Sequence, residues 1–136
     1  MIYWTSAMDT GVRQIDIQHQ ELVSLINQME RAHAAGQSSA ALDDILPSLM
    51  TYALFHFGDE ELLLAQVAEG TAYAEQHLKE HRSFVDEIQR LISSRASQSD
   101  AELVAVLTRY LAHWLLSHIS GTDRVLARRL LGKPAP

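Results

Sequence analysis

The sequence predicts an all-α fold: an antiparallel up-down-up-down four-helix bundle with an N-terminal arm. Apolar residues recur at three- and four-residue steps along four long stretches, and short turns rich in glycine and serine separate these stretches. No stretch has the alternating pattern of a β-strand. Amphipathic helices joined by short turns bury their apolar faces best in a bundle. We expect one domain over residues 1–136, a common domain length.

The first two predicted helices cover residues 15–35 and 40–68. Apolar side chains recur at helical spacing along both ranges, and Gly36 begins the turn between them. Proline removes a backbone donor and is tolerated best in the first turns of a helix. We therefore expect Pro47 to lie near the start of the second helix or to bend it.

The third and fourth predicted helices complete the bundle. The third follows the turn at Gly70 and ends in the polar, serine-rich stretch that begins at Ser93. The fourth begins at about Leu103 and continues to about Leu131. Because the connections are short, consecutive helices should be antiparallel neighbours.

The residues before about Asp16 form the N-terminal arm. Tyr3, Trp4 and Met8 are sizeable apolar side chains without helical spacing, so we expect the arm to pack across the bundle. Asp16 is expected to cap the first helix, with contact to His19 as the alternative.

The composition narrows the classes of function. A formal net charge of −6 with scattered basic residues disfavours a nucleic-acid partner. Without cysteine the chain cannot form a disulfide, a zinc–thiolate site or an iron–sulfur cluster, so imidazole and carboxylate are the strong metal ligands available. The N-terminus lacks the pattern of a secretory signal, and no apolar run is long enough to span a membrane. We therefore expect a cytoplasmic protein.

Five of the seven histidines fall on or near the apolar faces of the predicted helices. They are His19 on the first helix, His56 on the second, His77 and His81 on the third, and His118 on the fourth. A spacing of four residues places two side chains on one helix face, about one turn apart. His77 and His81 can therefore present two imidazole nitrogens to one ion.

Two carboxylates accompany these histidines. Glu60 lies four residues after His56 and shares its face. Asp123 lies five residues after His118, and an ideal α-helix would turn it about 140° away from the histidine. A π-type turn brings residue i+5 back toward residue i. If Asp123 is a ligand, the fourth helix should therefore be irregular near Gly121.

Together, these seven residues indicate a metal site. A single inward histidine is more often a hydrogen-bonded core residue, and one His/Glu pair is common on a solvated face. Several buried imidazoles and carboxylates without partners would be costly, whereas one polynuclear site satisfies them all. Seven ligands suit two ions, which could be iron, manganese, zinc or copper. Glu60 and Asp123 are the predicted bridges, and the histidines are the predicted terminal ligands.

The sequence resembles the hemerythrin family in its bacterial single-domain form. The likeness covers almost the whole chain and rests on four motifs, which run from Gly11 to His19, His56 to Glu60, His77 to Phe84 and Trp114 to Asp123. It implies a non-haem di-iron centre with a bridging oxo or hydroxo group. The implied ligands are His77, His81 and His118 to one iron, His19 and His56 to the other, and Glu60 and Asp123 as bridges.

The resemblance also implies a function, which is reversible binding of dioxygen. In the family, dioxygen binds end-on at the two-histidine iron and is held as hydroperoxide. Phe57, Trp114 and Leu115 are the candidate lining of the oxygen pocket, with Leu115 first among them because it lies one turn before His118. All three side chains are equally good core residues.

Several roles stay open at this point. We expect a binding protein, not an enzyme, that carries or stores oxygen or delivers it to an oxygen-using enzyme. The alternatives are an oxygen or redox sensor and an enzyme that consumes peroxide or nitric oxide on the same scaffold. Five histidines favour binding, because carboxylate-rich sites are those that cleave oxygen in related bundles. We expect a monomer.

Overall fold

A computed structural model describes residues 1–132, and within that range the chain forms four long helices and no strand. A single 3₁₀ turn, Ser6–Met8, precedes the helices, and another, Arg95–Ser97, lies before the last of them. Two of the long helices contain a π-helical stretch. The helices are α1, Arg13–Ala34; α2, comprising Ser38–Ala40, the π stretch Ala41–Ile45 and Leu46–Ala68; α3, Ala72–Ser93; and α4, comprising Asp100–His118, the π stretch Ile119–Asp123 and Arg124–Leu130.

The helices form the predicted four-helix bundle. Helix α1 packs against α2 and α4, and α3 packs against the same two helices from the other side. Two apolar clusters fill the interior. The larger one includes Met29, Ile88 and Leu107, and the smaller one, toward the other end, includes Ile15 and Leu126. None of the helices in residues 1–132 has the length and hydropathy to cross a membrane.

Pro47 lies where the sequence placed it, near the start of α2. It occupies the first turn of Leu46–Ala68, immediately after the π stretch Ala41–Ile45. A proline ring clashes with the carbonyl group four residues earlier, which here belongs to Asp43 inside that stretch. The wider π turn gives that carbonyl group room, which explains why the irregularity precedes the proline.

Side-chain caps determine where α3 and α4 begin. The Thr71 hydroxyl accepts a hydrogen bond from the Ala74 amide at the start of α3. The Ser99 hydroxyl accepts one from the Glu102 amide, so α4 begins at Asp100, three residues before the predicted start at Leu103. The predicted end at about Leu131 agrees with the observed end at Leu130, within the usual uncertainty of helix ends.

The N-terminal arm packs on the bundle, but not with every side chain expected. Trp4 and Met8 are partly buried against the larger cluster, as is Ile2, whose amide and carbonyl groups both bond to the Asn27 side chain. The expectation was wrong for Tyr3, which is 77% exposed. Successive side chains of an extended segment point in opposite directions, so packing Ile2 and Trp4 inward turns Tyr3 outward.

The expectation for Asp16 was also wrong. Helix α1 begins at Arg13, so the N-cap position belongs to Val12 and Asp16 lies within the first turn. Its carboxylate accepts hydrogen bonds from the amide and hydroxyl groups of Thr10 and from the Gly11 amide. Asp16 therefore fixes the chain that enters the helix, and its hydrogen bonds go to Thr10 and Gly11 and not to His19.

Candidate metal centre

The seven predicted ligand residues lie together in one buried layer between the two apolar clusters. Each is at most 4% exposed. Helix α1 supplies His19; α2 supplies His56 and Glu60; α3 supplies His77 and His81; and α4 supplies His118 and Asp123. Every helix of the bundle therefore contributes to a polar layer that the flanking apolar side chains shield from water.

Helical periodicity positions the pairs on α2 and α3. The Nε2 atom of His56 lies 3.0 Å from Oε1 of Glu60, one turn along the same face. The rings of His77 and His81 lie 4.7 Å apart between centroids. Both pairs point into the bundle because the adjacent apolar residues on the same faces do so.

The irregular turn predicted near Gly121 is present. Residues Ile119–Asp123 form a π-helical stretch, which places Oδ1 of Asp123 2.9 Å from Nε2 of His118. Gly121 does not have a positive φ angle, and a Cβ atom there would meet no atom within 4 Å. The π turn therefore does not depend on the conformational freedom of glycine.

The ligand atoms fall into two overlapping groups. We call Glu60, His77, His81 and His118 the three-histidine group, and His19, His56, Glu60 and Asp123 the two-histidine group. Within each group the candidate ligand atoms lie within 4.8 Å of one another.

The two carboxylates connect these groups. Glu60 belongs to both of them. Asp123 directs Oδ2 to Nε2 of His19, at 2.7 Å, and Oδ1 to His118 of the other group, at 2.9 Å. The division is the one that the resemblance implied, with both carboxylates between the groups.

The carboxylates are held in their charged form. Burial alone would raise the pKa of Glu60, but the neighbouring His56 and His118 hold that pKa well below its usual range. Burial and the charge of Glu60 oppose ionisation of Asp123, whereas His118 lowers the pKa of Asp123 to about 2. The two carboxylates therefore bring negative charge into the layer, which protonated histidines or bound cations can balance.

The histidines of the three-histidine group respond differently to this charge. Burial lowers the pKa of His77, but Asp123 and Glu60 outweigh burial and raise it to about 9. The same carboxylates raise the pKa of His118 well above its usual value, against burial. Burial dominates at His81 and lowers its pKa. Without a metal, protons would therefore supply part of the positive charge in this layer, and a metal would have to displace them.

Unpartnered buried atoms show that these side chains fit a metal. The buried atoms without a hydrogen-bond partner include Nε2 of His56 and His77, both carboxylate oxygens of Glu60 and Oδ1 of Asp123. Each such atom costs about 1–3 kcal/mol when left unsatisfied. Metal ions would satisfy them all at once. The nitrogen and oxygen donors, without sulfur, are compatible with iron.

Sequence reasoning did not predict the partners of the Nδ1 atoms, the histidine nitrogens that face away from the layer. Gln18 Oε1 lies 2.6 Å from Nδ1 of His56, and Glu80 Oε1 lies 3.0 Å from Nδ1 of His118. These contacts join different helices, so no local spacing reveals them. The Tyr73 hydroxyl group lies 3.1 Å from Nδ1 of His77, one turn along α3. Only this contact had a signal in the sequence, the four-residue spacing.

The three candidate pocket residues line one cavity beside the metal layer. Its volume is about 10 Å³, close to the lower limit for holding one water molecule. Phe57 stacks on His81 and Trp114 stacks on His118, with ring centroids 4.0 and 4.4 Å apart. The lining residues are Leu22, Ile26, Leu49, Ala53, Phe57, Phe84, Leu111, Trp114 and Leu115. The cavity is therefore almost entirely apolar.

The remaining two histidines lie outside the centre. His113 is exposed on α4. His33, in the last turn of α1, is half-buried, and its Nδ1 atom lies 2.9 Å from the Ser38 hydroxyl oxygen. The structure therefore places neither with the seven predicted ligands.

Comparisons with known proteins agree with this geometry. The family described as Hemerythrin HHE cation binding domain matches residues 10–130. A bacteriohemerythrin of Pseudomonas aeruginosa is 31% identical over 90% of this chain and 76% of its own length. A hemerythrin-like protein of Naegleria gruberi is 31% identical over 88% of this chain and 86% of its own length. A bacteriohemerythrin of Clostridium acetobutylicum is 24% identical over 91% of this chain and 97% of its own length.

Proposed function

The chain belongs to the hemerythrin family, and on this premise we propose that it binds dioxygen reversibly at a non-haem di-iron centre. The observation that carries the proposal is the pair of buried ligand groups that share Glu60. Two groups of this size suit two ions better than one. We propose carriage, storage or delivery to an oxygen-using enzyme as the role.

The proposed ligands divide unequally between the two ions. His77, His81 and His118 would hold one ion, and His19 and His56 the other. Glu60 and Asp123 would contact both, since each lies between the groups. When bound, the two irons would supply the electrons that dioxygen takes up on binding and would take them back on its release. The two-histidine group offers one histidine donor fewer, so an ion held there would keep one more coordination position for dioxygen.

The apolar surroundings support binding over turnover. Phe57, Trp114 and Leu115 line the adjoining cavity and limit access of water to the layer. Exclusion of water slows loss of a reactive oxygen species from a metal site. Five histidines with two carboxylates also differ from the carboxylate-rich sites of oxygen-cleaving bundles. We therefore propose a binding protein and not an enzyme. A cytoplasmic location and a monomeric state stay predictions.

Iron analysis together with visible spectroscopy tests the proposal. The protein is reduced without air, its iron is quantified, and it is then exposed to dioxygen. We expect two irons per chain and a visible charge-transfer band that fades when oxygen is removed. Rapid passage to a ferric form without a stable oxygenated spectrum would contradict reversible binding and favour sensing or turnover. Fewer than two irons would contradict the di-iron centre itself.

A further inference from the structure

Three polar side chains outside the proposed ligand set form a connected network at the three-histidine group. Glu80 Oε1 accepts a hydrogen bond from the Thr122 hydroxyl group, at 2.6 Å, and lies 3.0 Å from Nδ1 of His118. The Tyr73 hydroxyl group donates to the Thr122 carbonyl oxygen, at 2.6 Å, and lies 3.1 Å from Nδ1 of His77. Thr122 thus connects the partners of two histidines from different helices.

The direction of these hydrogen bonds follows from the metal-binding role. An imidazole that binds a metal through Nε2 carries its proton on Nδ1 and needs an acceptor there. The Glu80 carboxylate can only accept, so it matches Nδ1–H of His118. The Tyr73 hydroxyl group gives its proton to the Thr122 carbonyl group and can therefore accept from Nδ1–H of His77. The network therefore favours the tautomer with the proton on Nδ1 of both histidines, which leaves both Nε2 atoms free to bind metal.

Thr122 also connects the network to the π turn. It lies within the stretch Ile119–Asp123, next to Asp123. Its hydroxyl and carbonyl groups both bond to side chains of α3, on Glu80 and Tyr73. The turn that presents Asp123 is therefore fixed to the helix that carries His77 and His81.

Within residues 1–132, no carboxylate contacts the Nδ1 atom of either histidine in the two-histidine group. Nδ1 of His56 lies 2.6 Å from the neutral amide oxygen of Gln18. Nδ1 of His19 is buried and has no hydrogen-bond partner. An anionic acceptor raises the basicity of an imidazole ligand more than a neutral one does. The contact between Glu80 and His118 therefore makes the two groups unequal as metal sites.

We infer that Glu80 and Thr122 are positioning residues of the three-histidine group. They hold His118 with Nε2 toward the layer and strengthen the binding of the ion held there. The inference depends on the proposed function only in requiring that two metal ions bind to the layer.

A cobalt titration of the metal-free protein without air tests the role of Glu80. The Glu80→Gln substitution keeps the shape and one acceptor oxygen but removes the charge. We expect one of two Co²⁺ ions per chain to bind about 10- to 100-fold more weakly, the usual effect of losing an outer partner of a metal ligand. The other ion should bind as in the wild type. The matched control is Glu87→Gln, because Glu87 lies on the same helix and pairs with exposed Arg90.

A second pair of variants tests Thr122 without removing a charge. Thr122→Val keeps the shape but loses the hydroxyl proton given to Glu80, so the same Co²⁺ ion should bind more weakly. Thr122→Ser keeps the hydroxyl group and should retain wild-type affinity. Loss of affinity in both variants would assign the effect to packing and overturn the positioning role of the hydroxyl group.

Nuclear magnetic resonance of the cobalt-loaded protein gives a readout that packing alone would not change. Nδ1 protons of metal-bound histidines give strongly shifted, exchangeable signals. In Glu80→Gln we expect one such signal, from His118, to move and to exchange faster with solvent, while the others stay. Wild-type signals and affinity in Glu80→Gln would overturn this inference alone. Binding of fewer than two Co²⁺ ions by the wild type would instead contradict the proposed two-metal centre.

Discussion

At the residue scale, the two nitrogens of each predicted ligand histidine have separate surroundings. Every Nε2 atom lies within 4 Å of a carboxylate oxygen of Glu60 or Asp123. The Nδ1 atoms face outward, and those of His56, His77 and His118 meet a polar side chain from the surrounding helices. Single substitutions can therefore test the inward and the outward contacts of these histidines separately.

Removal of one predicted ligand should abolish stable loading of one iron. We expect His77→Ala to lower the iron content from two per chain toward one, because the three-histidine group loses a nitrogen donor. His113→Ala is the matched control, since His113 is exposed on α4. Iron is measured after anaerobic reconstitution and desalting. Equal iron content in the two variants would show that His77 is not a ligand.

The cavity beside the layer leads to a second prediction. Leu115→Ala should enlarge it, lower the free energy of unfolding by about 2–5 kcal/mol and speed oxidation of the oxygenated protein, because water gains access. Leu116→Ala, at the neighbouring position that is 37% exposed, should leave both nearly unchanged. Chemical denaturation and the decay of the visible band measure the two effects. An unchanged decay rate in Leu115→Ala would remove Leu115 from the oxygen pocket.

The raised pKa of His77, about 9, predicts how the metal-free protein responds to pH. A group with a raised folded-state pKa stabilises the fold fully below its unfolded pKa, about 6.5 for histidine, and loses that contribution as the pH rises through the folded value. The free energy of unfolding should therefore fall between about pH 6.5 and 9. Urea denaturation across this interval measures it. His113→Ala should keep the decline, and a rising stability would contradict the assignment.

At the scale of the element, two π stretches interrupt otherwise regular helices for different reasons. The stretch in α2 precedes Pro47 and accommodates its ring. The stretch in α4 brings Asp123 onto the face of His118, which an α-helical turn would not do. Only the second stretch contributes a side chain to the metal layer.

Gly121 is dispensable for the π turn in α4. Its φ angle is not positive and a Cβ atom there meets no neighbour, so Gly121→Ala should keep the iron content and change stability by at most about 1 kcal/mol, toward higher stability. Gly36→Ala is the contrasting variant. Gly36 has φ +75°, so alanine there should cost about 1–2 kcal/mol. Thermal unfolding and iron analysis measure both, and loss of iron in Gly121→Ala would contradict this account.

At the scale of the whole molecule, the metal layer separates two apolar clusters. Burying its polar side chains opposes folding. Seven ionisable side chains are buried there, and several of their atoms have no hydrogen-bond partner. Bound metal would replace these costs with ligand bonds that form only in the folded state. Folding and metal binding should therefore be coupled.

Metal removal should consequently destabilise the protein. Free metal at 100 times its dissociation constant adds about 2.7 kcal/mol to the free energy of unfolding. We expect the melting temperature to fall after chelation and to recover on reconstitution. His77→Ala should show a smaller difference between its loaded and metal-free forms. Identical melting curves for the loaded and metal-free wild type would contradict coupling between the layer and the fold.

The sequence by itself determined the helices and the predicted ligands, because both depend on local spacing. Apolar periodicity indicated four helices, four-residue steps paired His56 with Glu60, and the five-residue step from His118 predicted the irregular turn before Asp123. Local spacing did not predict that Tyr3 is exposed or that Asp16 lies inside the first turn of α1. In both cases the outcome depended on how the chain packs against the bundle or on where a helix begins.

Only the tertiary structure decided how the predicted ligands group and what supports them. His19 and Asp123 are 104 residues apart in the chain, and His118 and Glu80 are 38 apart. Whether such side chains meet depends on the rotation and stagger of packed helices, which are set by the fit of many apolar side chains at once. No spacing within one helix contains that information. The sharing of Glu60 and the network through Thr122 therefore became visible only in the folded chain.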